Sequence, residues 1–141
     1  MRHKKLLDVL KKQSIELLKM AGLSAGQAEE YVDDAMKFDD KVSKVVKSSE
    51  EWADYPAMYN PMPISDFEKK ITNFKMDYFL KEALGEVPDR VIVAEPRYLD
   101  HFDELINEDN FDEIKGWMIV KFINGVASYL SQDFPWSIIP I

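Results

Sequence analysis

The 141-residue sequence contains no cysteine, only two histidines and only five glycines. Without cysteine, the chain has no disulfide framework, no thiolate nucleophile, no iron–sulfur ligation and no cysteine-based zinc site. It also contains no glycine-rich phosphate loop, nucleophile elbow or dinucleotide fingerprint. Motifs alone therefore make a poor case for an enzyme.

Long apolar runs are missing as well. Three basic residues precede Leu6 and Leu7, as at the start of a signal peptide, but Asp8, Lys11 and Lys12 interrupt the apolar stretch. It does not reach the roughly 7 to 15 apolar residues of a signal core. No stretch approaches the roughly 18 residues that a membrane span needs. We therefore expect no membrane association, and the sequence favours the cytoplasm.

Positive charge is scarce: 18 basic against 26 acidic side chains give a formal net charge of −8. Nucleic-acid affinity comes largely from Lys and Arg neutralising phosphates, so we expect no nucleic-acid partner. What the chain does have is apolar content, with 46% hydrophobic and 12% aromatic residues. Together with a length typical of one domain, this predicts a globular chain with a core.

Apolar residues at helical spacing predict a mainly α fold. A first helix ends at Gly22, and Ser24 with Gln27 forms a capping box for a second helix. Another N-cap is predicted at Ser48–Ser49, before an acidic turn. Ser65, with Glu68 at the capping-box position, is predicted to begin a further helix. The buried side of that helix is predicted to carry Ile64, Phe67, Ile71, Phe74 and Tyr78.

The second half of the chain contains one β-branched run. Val91–Ala94 is too short for an ordinary helix and predicts one short strand. Pro96 is predicted to open a helix through Leu99, Phe102, Leu105 and Ile106, and Asn110 to cap a final long helix. The predicted fold class is a mainly α lobe of antiparallel-packed helices with one short β element near Val91–Ala94. Residues 135–141 are predicted to form a divergent apolar tail after a helical domain over 1–134.

Only His3 and His101 supply imidazole, and they do not form the helical zinc motif, which needs two histidines one turn apart. His101 has Asp100, Asp103 and Glu104 nearby, but adjacent residues on a helix point in different directions. We interpret His101 as a partly exposed helix-surface residue rather than a general base. We expect no catalytic and no metal-binding residue in this chain.

Carboxylates occur in pairs along the sequence. Acid–base catalysis needs two carboxylates that converge across a cleft with separated pKa values, which neighbours on a helix do not provide. We expect a solvated surface at Glu29–Glu30, Asp33–Asp34, Asp39–Asp40, Glu50–Glu51, Asp103–Glu104 and Asp112–Glu113. The stretch Glu108–Asp112 suggests calcium but lacks the ligand order and central glycine of an EF-hand loop.

Aromatic residues offer a different kind of candidate. Aromatic anchors dominate binding interfaces, so a peptide-binding groove is one interpretation. At helical spacing such residues are more often core, and both interpretations stay open. The candidates are Trp52, Tyr55, Tyr59, Trp117 and Tyr129.

Several stretches together carry a family resemblance. The sharpest is Ser48–Tyr55 followed by Tyr59-Asn60-Pro61-Met62, an acidic turn before a Tyr-Asn-Pro-Met step. Further stretches follow in the same order: Val87–Pro96 with Tyr98–Leu99, then Lys115–Val120 with Ala127–Ser131. With these, the sequence resembles the neprilysin-like zinc metallopeptidases, specifically their bacterial oligopeptidase O branch, in register from Leu6 to Phe134.

The resemblance implies that residues 1–134 are part of an N-terminal helical domain. In the family this region builds much of the helical lobe that faces the catalytic lobe and encloses a cavity restricted to peptides. The family's His-Glu-x-x-His helix, downstream Glu ligand and further His lie in a later region and have no counterpart here. The resemblance thus implies zinc in the full-length family but no cofactor in this chain. Its implied partners are the catalytic lobe of the parent peptidase and, in the intact enzyme, peptide substrates.

We therefore expect a fragment of a zinc metalloendopeptidase that is catalytically inactive alone. The alternative is a helical peptide- or protein-interaction module with no enzymatic activity, favoured by the apolar residues Trp136, Ile138 and Ile139. A third interpretation is a stable remnant with no present activity.

Overall fold

The computed structural model describes residues 2–129, which form α-helices, 3-10 turns and a two-stranded antiparallel sheet. The predicted mainly α fold class with one short β element is confirmed. The predicted boundary between 1–134 and the tail at 135–141 stays a prediction, because the tail lies outside the described residues. The helices are α1 Arg2–Met20, α2 Ala25–Ser43, α3 Ile64–Lys69, α4 Met76–Leu84, α5 Pro96–Asp100, α6 Phe102–Leu105 and α7 Phe111–Val126; the strands are β1 Pro61–Pro63 and β2 Arg90–Ile92; the 3-10 turns are Glu51–Ala53, Pro56–Met58, Glu108–Asn110 and Ala127–Tyr129.

The chain divides into two compact units. The first unit combines the chain up to Asp40 with the chain from Asn110 onward, and the second unit is Lys41–Asp109. Within the described residues, no helix is both long enough and apolar enough to cross a membrane.

Three long helices build the first unit. Its core consists of Leu18 from α1, side chains of α2 and Val120 from α7. The predicted capping box at the start of α2 is confirmed, since the Gln27 backbone N–H donates to Ser24 Oγ at 3.3 Å. The predicted stop at Gly22 is also confirmed: its φ of 99° is open to glycine and costly for other residues. The α2 side chains in this core are Ala28, Val32 and Ala35.

Helices α2 and α7 approach each other at Gly116. A Cβ atom added there would lie 2.7 Å from the Tyr31 carbonyl oxygen and 3.0 Å from Asp34 Cβ. Only glycine fits so close to a neighbouring backbone. This close contact places Val120 in the core of the first unit and Trp117 against that core.

Short elements build the second unit around Ile71, Val93 and Leu99. Met62 of β1 pairs with Val91 of β2. The Ile64 and Val93 backbone N–H groups extend this ladder by donating to the carbonyls of Asp89 and Asn60. The predicted strand is confirmed, although its hydrogen-bonded part begins at Arg90. β1 is a strand that the sequence analysis did not predict.

The predicted helix through Tyr78 is wrong. α3 begins at Ile64 rather than after Ser65, and it ends at Lys69 before α4 starts at Met76. The break has a physical cause, because the Thr72 and Asn73 backbone N–H groups donate to the carboxylate of Asp103 instead of continuing a helix. Of the predicted buried side, Ile71 is buried, whereas Phe74 is 44% and Tyr78 64% exposed.

The predicted helix after Pro96 starts where expected but is interrupted. Pro96 occupies the first turn of α5, and the backbone at His101 (φ −108°, ψ 10°) separates α5 from α6. Leu99 and Leu105 are both buried, each on its own short helix. Asn110 lies at the N-cap position of α7, as predicted, but its side chain makes no capping hydrogen bond to this helix.

Candidate functional surface

The second unit displays three aromatic side chains on short 3-10 turns and their flanks. Trp52 is 41%, Tyr55 76% and Tyr59 64% exposed. We call these three residues the aromatic platform. Because 3-10 turns are short and poorly hydrogen-bonded, they need outside support to hold a fixed geometry.

Lys47 provides the first support. Its backbone N–H donates to Glu95 Oε2 at 2.6 Å, and its Nζ donates to the carbonyls of Ala94 at 3.0 Å and Ala57 at 3.3 Å. The same Nζ lies 5.8 Å from the centroid of the Trp52 ring, within cation–π range. One lysine thus joins the segment of the platform to the chain that follows β2.

A reciprocal pair provides the second support. The Ser48 backbone N–H donates to Glu51 Oε2 at 2.7 Å, and the Glu51 backbone N–H donates to Ser48 Oγ at 3.3 Å. The capping predicted at Ser48 is therefore confirmed. Arg97 adds an ion pair to Glu51 at 3.0 Å. The hydrogen bond from the Ser48 backbone and then that from Arg97 lower the pKa of the Glu51 carboxyl, so it stays ionised.

Asn60 provides the third support, within the Tyr-Asn-Pro-Met step. Its Nδ2 donates to the carbonyls of Ala57 and Val93, both at 2.9 Å. The side chain therefore closes the Pro56–Met58 turn and joins it to the residue after β2. Buried or half-buried carbonyls need such partners, and an aspartate here would offer no donor to them. The step that marked the sequence resemblance thus has a structural role.

The arrangement suits binding rather than bond cleavage. It presents exposed aromatic faces, which match the apolar side chains of a peptide, while Lys47 and Arg97 are engaged in holding the turns. It brings together no nucleophile and base. Among the described residues, no group of three or more His, Asp or Glu side chains is placed to hold a metal ion.

The side chains considered as a catalytic acid, a base or a metal ligand instead contact the backbone or lie in turns of the fold. His101 Nδ1 lies 2.9 Å from the Arg97 carbonyl oxygen at the end of α5. Asp103 accepts from the backbones of Thr72 and Asn73. Burial alone would raise the pKa of the Asp103 carboxyl, but a hydrogen bond from the Thr72 hydroxyl, followed by these two backbone bonds, lowers it overall. Glu108–Asn110 forms a turn that leads straight into α7.

The five aromatic candidates are divided between the two units. Trp52, Tyr55 and Tyr59 lie in the second unit. Trp117 packs edge-to-face on Phe38 of the first unit, with ring centroids 5.7 Å apart, and donates from Nε1 to an Asp39 carboxylate oxygen at 2.6 Å. The core interpretation is confirmed for this residue. Tyr129, also in the first unit, is 87% exposed.

Sequence reasoning missed the polar side chains that hold the platform. Lys47 carries no local signal, because its partners lie up to 48 positions away. Asn60 belongs to the Tyr-Asn-Pro-Met step, but its role depends on Val93, 33 positions further on. A prediction that β1 pairs with β2 would have placed these side chains next to their partners.

Comparison with known proteins gives a consistent result. A family model for peptidase family M13 matches residues 1–136. A protein named neutral endopeptidase from Lactobacillus helveticus is 63% identical over 131 residues, which is 93% of this chain and 20% of that protein. A neutral endopeptidase from Lactococcus lactis subsp. cremoris is 38% identical over 132 residues, which is 94% of this chain and 21% of that protein. The chain thus spans about a fifth of the length of these relatives.

A solved structure shares the fold. The crystal structure of PEPO from Lactobacillus rhamnosis HN001 matches with a TM-score of 0.86 at 24% identity. The match covers 95% of this chain and 21% of that chain. At this identity the likeness shows the fold alone.

Proposed function

The chain belongs to peptidase family M13, and from this membership we propose that it supplies part of the helical, substrate-enclosing lobe of a zinc metalloendopeptidase. The family resemblance drawn from the sequence is confirmed. The observation that carries the proposal is the match over residues 1–136, combined with relatives about five times as long that are named neutral endopeptidase. The partner is then the catalytic lobe of the parent peptidase.

In this proposal the chain has no catalytic competence of its own. The described residues do not fit a zinc site, because no three suitable side chains converge and the ring of His101 is engaged by a backbone carbonyl. Zinc, the attacking water and its base belong to the part of the relatives that lies outside this match. We therefore derive no chemical step from residues of this chain.

The contribution of the chain is shape and surface. The aromatic platform, held by Lys47, Glu51 and Asn60, offers side chains that bind peptides while the fixed backbone keeps them in place. In this proposal, contacts between a peptide and the aromatic platform lower the KM for that peptide, and none of them involves the scissile bond. The lobe also limits which substrates enter, because a folded protein is too large for the space that the lobe encloses.

The first test uses the chain as it is. Purified chain is dialysed against Zn²⁺, its metal content is measured, and it is incubated with a mixture of short peptides that are followed by mass spectrometry. We expect no stoichiometric zinc and no cleavage. Tight zinc binding with zinc-dependent turnover, abolished by a chelator and restored by Zn²⁺, would refute catalytic incompetence.

A helical interaction module without enzymatic activity is the second candidate, favoured by the exposure of the aromatic platform. It predicts that the isolated chain binds peptides and that Tyr55→Ser weakens this binding at least several-fold. Tyr78→Ser, which replaces another exposed tyrosine on α4, is the matched control. Peptide titration followed by intrinsic tryptophan fluorescence measures both. Absence of any peptide binding by the isolated chain would exclude a peptide-binding module while leaving the lobe proposal intact.

A further inference from the structure

Helix α7 carries large apolar side chains on two opposite sides. One side lies against the core of the first unit, with Gly116 and Val120 buried and Ile123 packed against them. The opposite side carries Met118 and Phe122, which are 60% and 67% exposed. A helix with apolar side chains on two opposite sides has one apolar face more than its own core uses.

The exposed apolar residues of α7 lie on one side of the helix, with Lys115 among them. Phe111, Met118 and Phe122 are spaced by seven and four residues, which places them on the same side of a helix. Phe111 is 62% exposed. Lys115 falls between them, but its Nζ lies 5.5 Å from the centroid of the Tyr31 ring, so its charge is directed back towards α2. We call Phe111, Met118 and Phe122 the α7 stripe.

The chemistry of the stripe selects the kind of partner. Large exposed apolar patches on a protein surface mark contacts with other protein surfaces. The three stripe residues offer a partner two phenyl rings and a thioether, which favours an apolar partner surface. A flexible methionine between two aromatic rings packs well against irregular apolar surfaces.

We propose that the α7 stripe is a dry interface with an apolar surface of the parent peptidase contributed by the part of the polypeptide that this chain does not include. The inference rests on the proposed function. The length of the relatives supports the choice of occupant, because the chain spans only 20% and 21% of them. The remaining polypeptide is large enough to cover α7, and in an intact enzyme it is present at a fixed position and at high effective concentration.

The test compares the same side chain in two contexts. In a chimera, this chain replaces the segment that it matches in the Lactobacillus helveticus neutral endopeptidase. Since the chain lacks cysteine, Met118→Cys provides a unique thiol in the isolated chain. Tyr78→Cys on α4, where the native side chain is 64% exposed, is the control. Maleimide labelling at each position is read by peptide mass spectrometry in the isolated chain and in the chimera.

In the isolated chain both introduced thiols are labelled rapidly. In the chimera we expect labelling of the Met118→Cys thiol to slow by about tenfold or more, because it then requires local opening of an interface, while the control changes less. Equal labelling of that thiol in both contexts, in a chimera that cleaves peptides, would overturn the interface and leave the proposed function intact. A chimera that folds but has no peptidase activity, beside an active parent enzyme, would overturn the proposed function and this inference with it.

A second measurement needs no substitution. Hydroxyl-radical footprinting of the unsubstituted chain and chimera compares oxidation of Met118 and Phe122 with that of Tyr78. Protection of the two stripe residues in the chimera supports the interface. Unchanged oxidation in the active chimera contradicts it, whatever the substituted proteins do.

Discussion

Different interactions stabilise the interior of each of the two units of this chain. The first unit contains helices of 19, 19 and 16 residues, which pack together through Leu18, Val32 and Val120. In the second unit no α-helix or strand exceeds nine residues, and side chains such as Lys47, Asn60 and Asp103 bond directly to backbone groups. Long elements satisfy their own backbones and need only packing, whereas short elements leave backbone groups that side chains must satisfy. Packing should therefore dominate the first unit and polar contacts the second.

The largest effect is expected in the core of the first unit. Leu18 is 1% exposed, so Leu18→Ala removes a buried side chain and leaves a cavity, at a cost of about 2–5 kcal/mol. Leu10→Ala, on the same helix at 43% exposure, is the control and should cost much less. Urea denaturation followed by circular dichroism measures both. Equal losses would mean that packing of α1 does not hold this unit.

The next effect tests the close approach of α2 and α7. Gly116→Ala places a methyl group 2.7 Å from the Tyr31 carbonyl oxygen, and we expect a loss of about 1–3 kcal/mol from overpacking. Gly125→Ala, on the same helix with no atom within 4 Å of the new Cβ, should instead stabilise by about 0.5–1 kcal/mol through helix propensity. Thermal denaturation of the two variants checks the difference in sign. Stabilisation by both would show that the two helices do not approach at this point.

A smaller effect tests the polar contacts of the second unit through pH. The pKa of Asp103 is lowered below its ordinary value of 3.8, so its contribution to stability is present above that value and is lost as the pH falls through the lowered folded pKa. No change is expected between pH 7 and about pH 5. The backbone amide shifts of Thr72 and Asn73, followed by NMR, should titrate with a midpoint below 3.8.

Asp103→Asn is the companion variant. It removes the charged acceptor, so both amide titrations should disappear and hydrogen exchange at Thr72 should accelerate by roughly tenfold. Asp66→Asn, which changes a carboxylate of α3 that pairs with Lys69 in the same helix, is the control and should leave both amides unchanged. A midpoint above 3.8 for Thr72 would contradict the hydrogen bonds that define this contact.

The smallest effect is expected from a surface ion pair of the first unit. Lys11 pairs with Asp33, and their side chains are 41% and 49% exposed to solvent. Exposed pairs of this kind contribute little, because solvent screens them and ordering the side chains costs entropy. Lys11→Ala should leave the thermal midpoint unchanged within error. A clear loss would show that charge, and not packing alone, holds α1 against α2.

The same contrast explains what the sequence could predict. The capping box at Ser24, the N-cap at Ser48 and the helix stop at Gly22 were predictable, because each depends on residues within a few positions. The break between α3 and α4 was not, since it depends on Asp103, 31 positions from Thr72. Periodicity alone favoured one continuous helix there.

The candidate site follows the same rule. Aromatic residues could be named from composition, but their grouping depends on tertiary contacts. Trp117 joins the first core because Gly116 lets α7 approach α2, which periodicity does not reveal. Tyr55 and Tyr59 are displayed because Asn60 and Lys47 close the intervening turn onto the chain after β2. Family resemblance pointed to the correct stretch without giving the reason for its residues.

The central claim is that this chain provides a lobe of an M13 peptidase and none of its chemistry. The most direct measurement is zinc-dependent peptide cleavage by three proteins: the isolated chain, the chimera with the Lactobacillus helveticus neutral endopeptidase, and that enzyme with the matching segment deleted. We predict activity in the chimera and none in the other two. Cleavage by the isolated chain, or full activity of the deletion variant, would contradict the account.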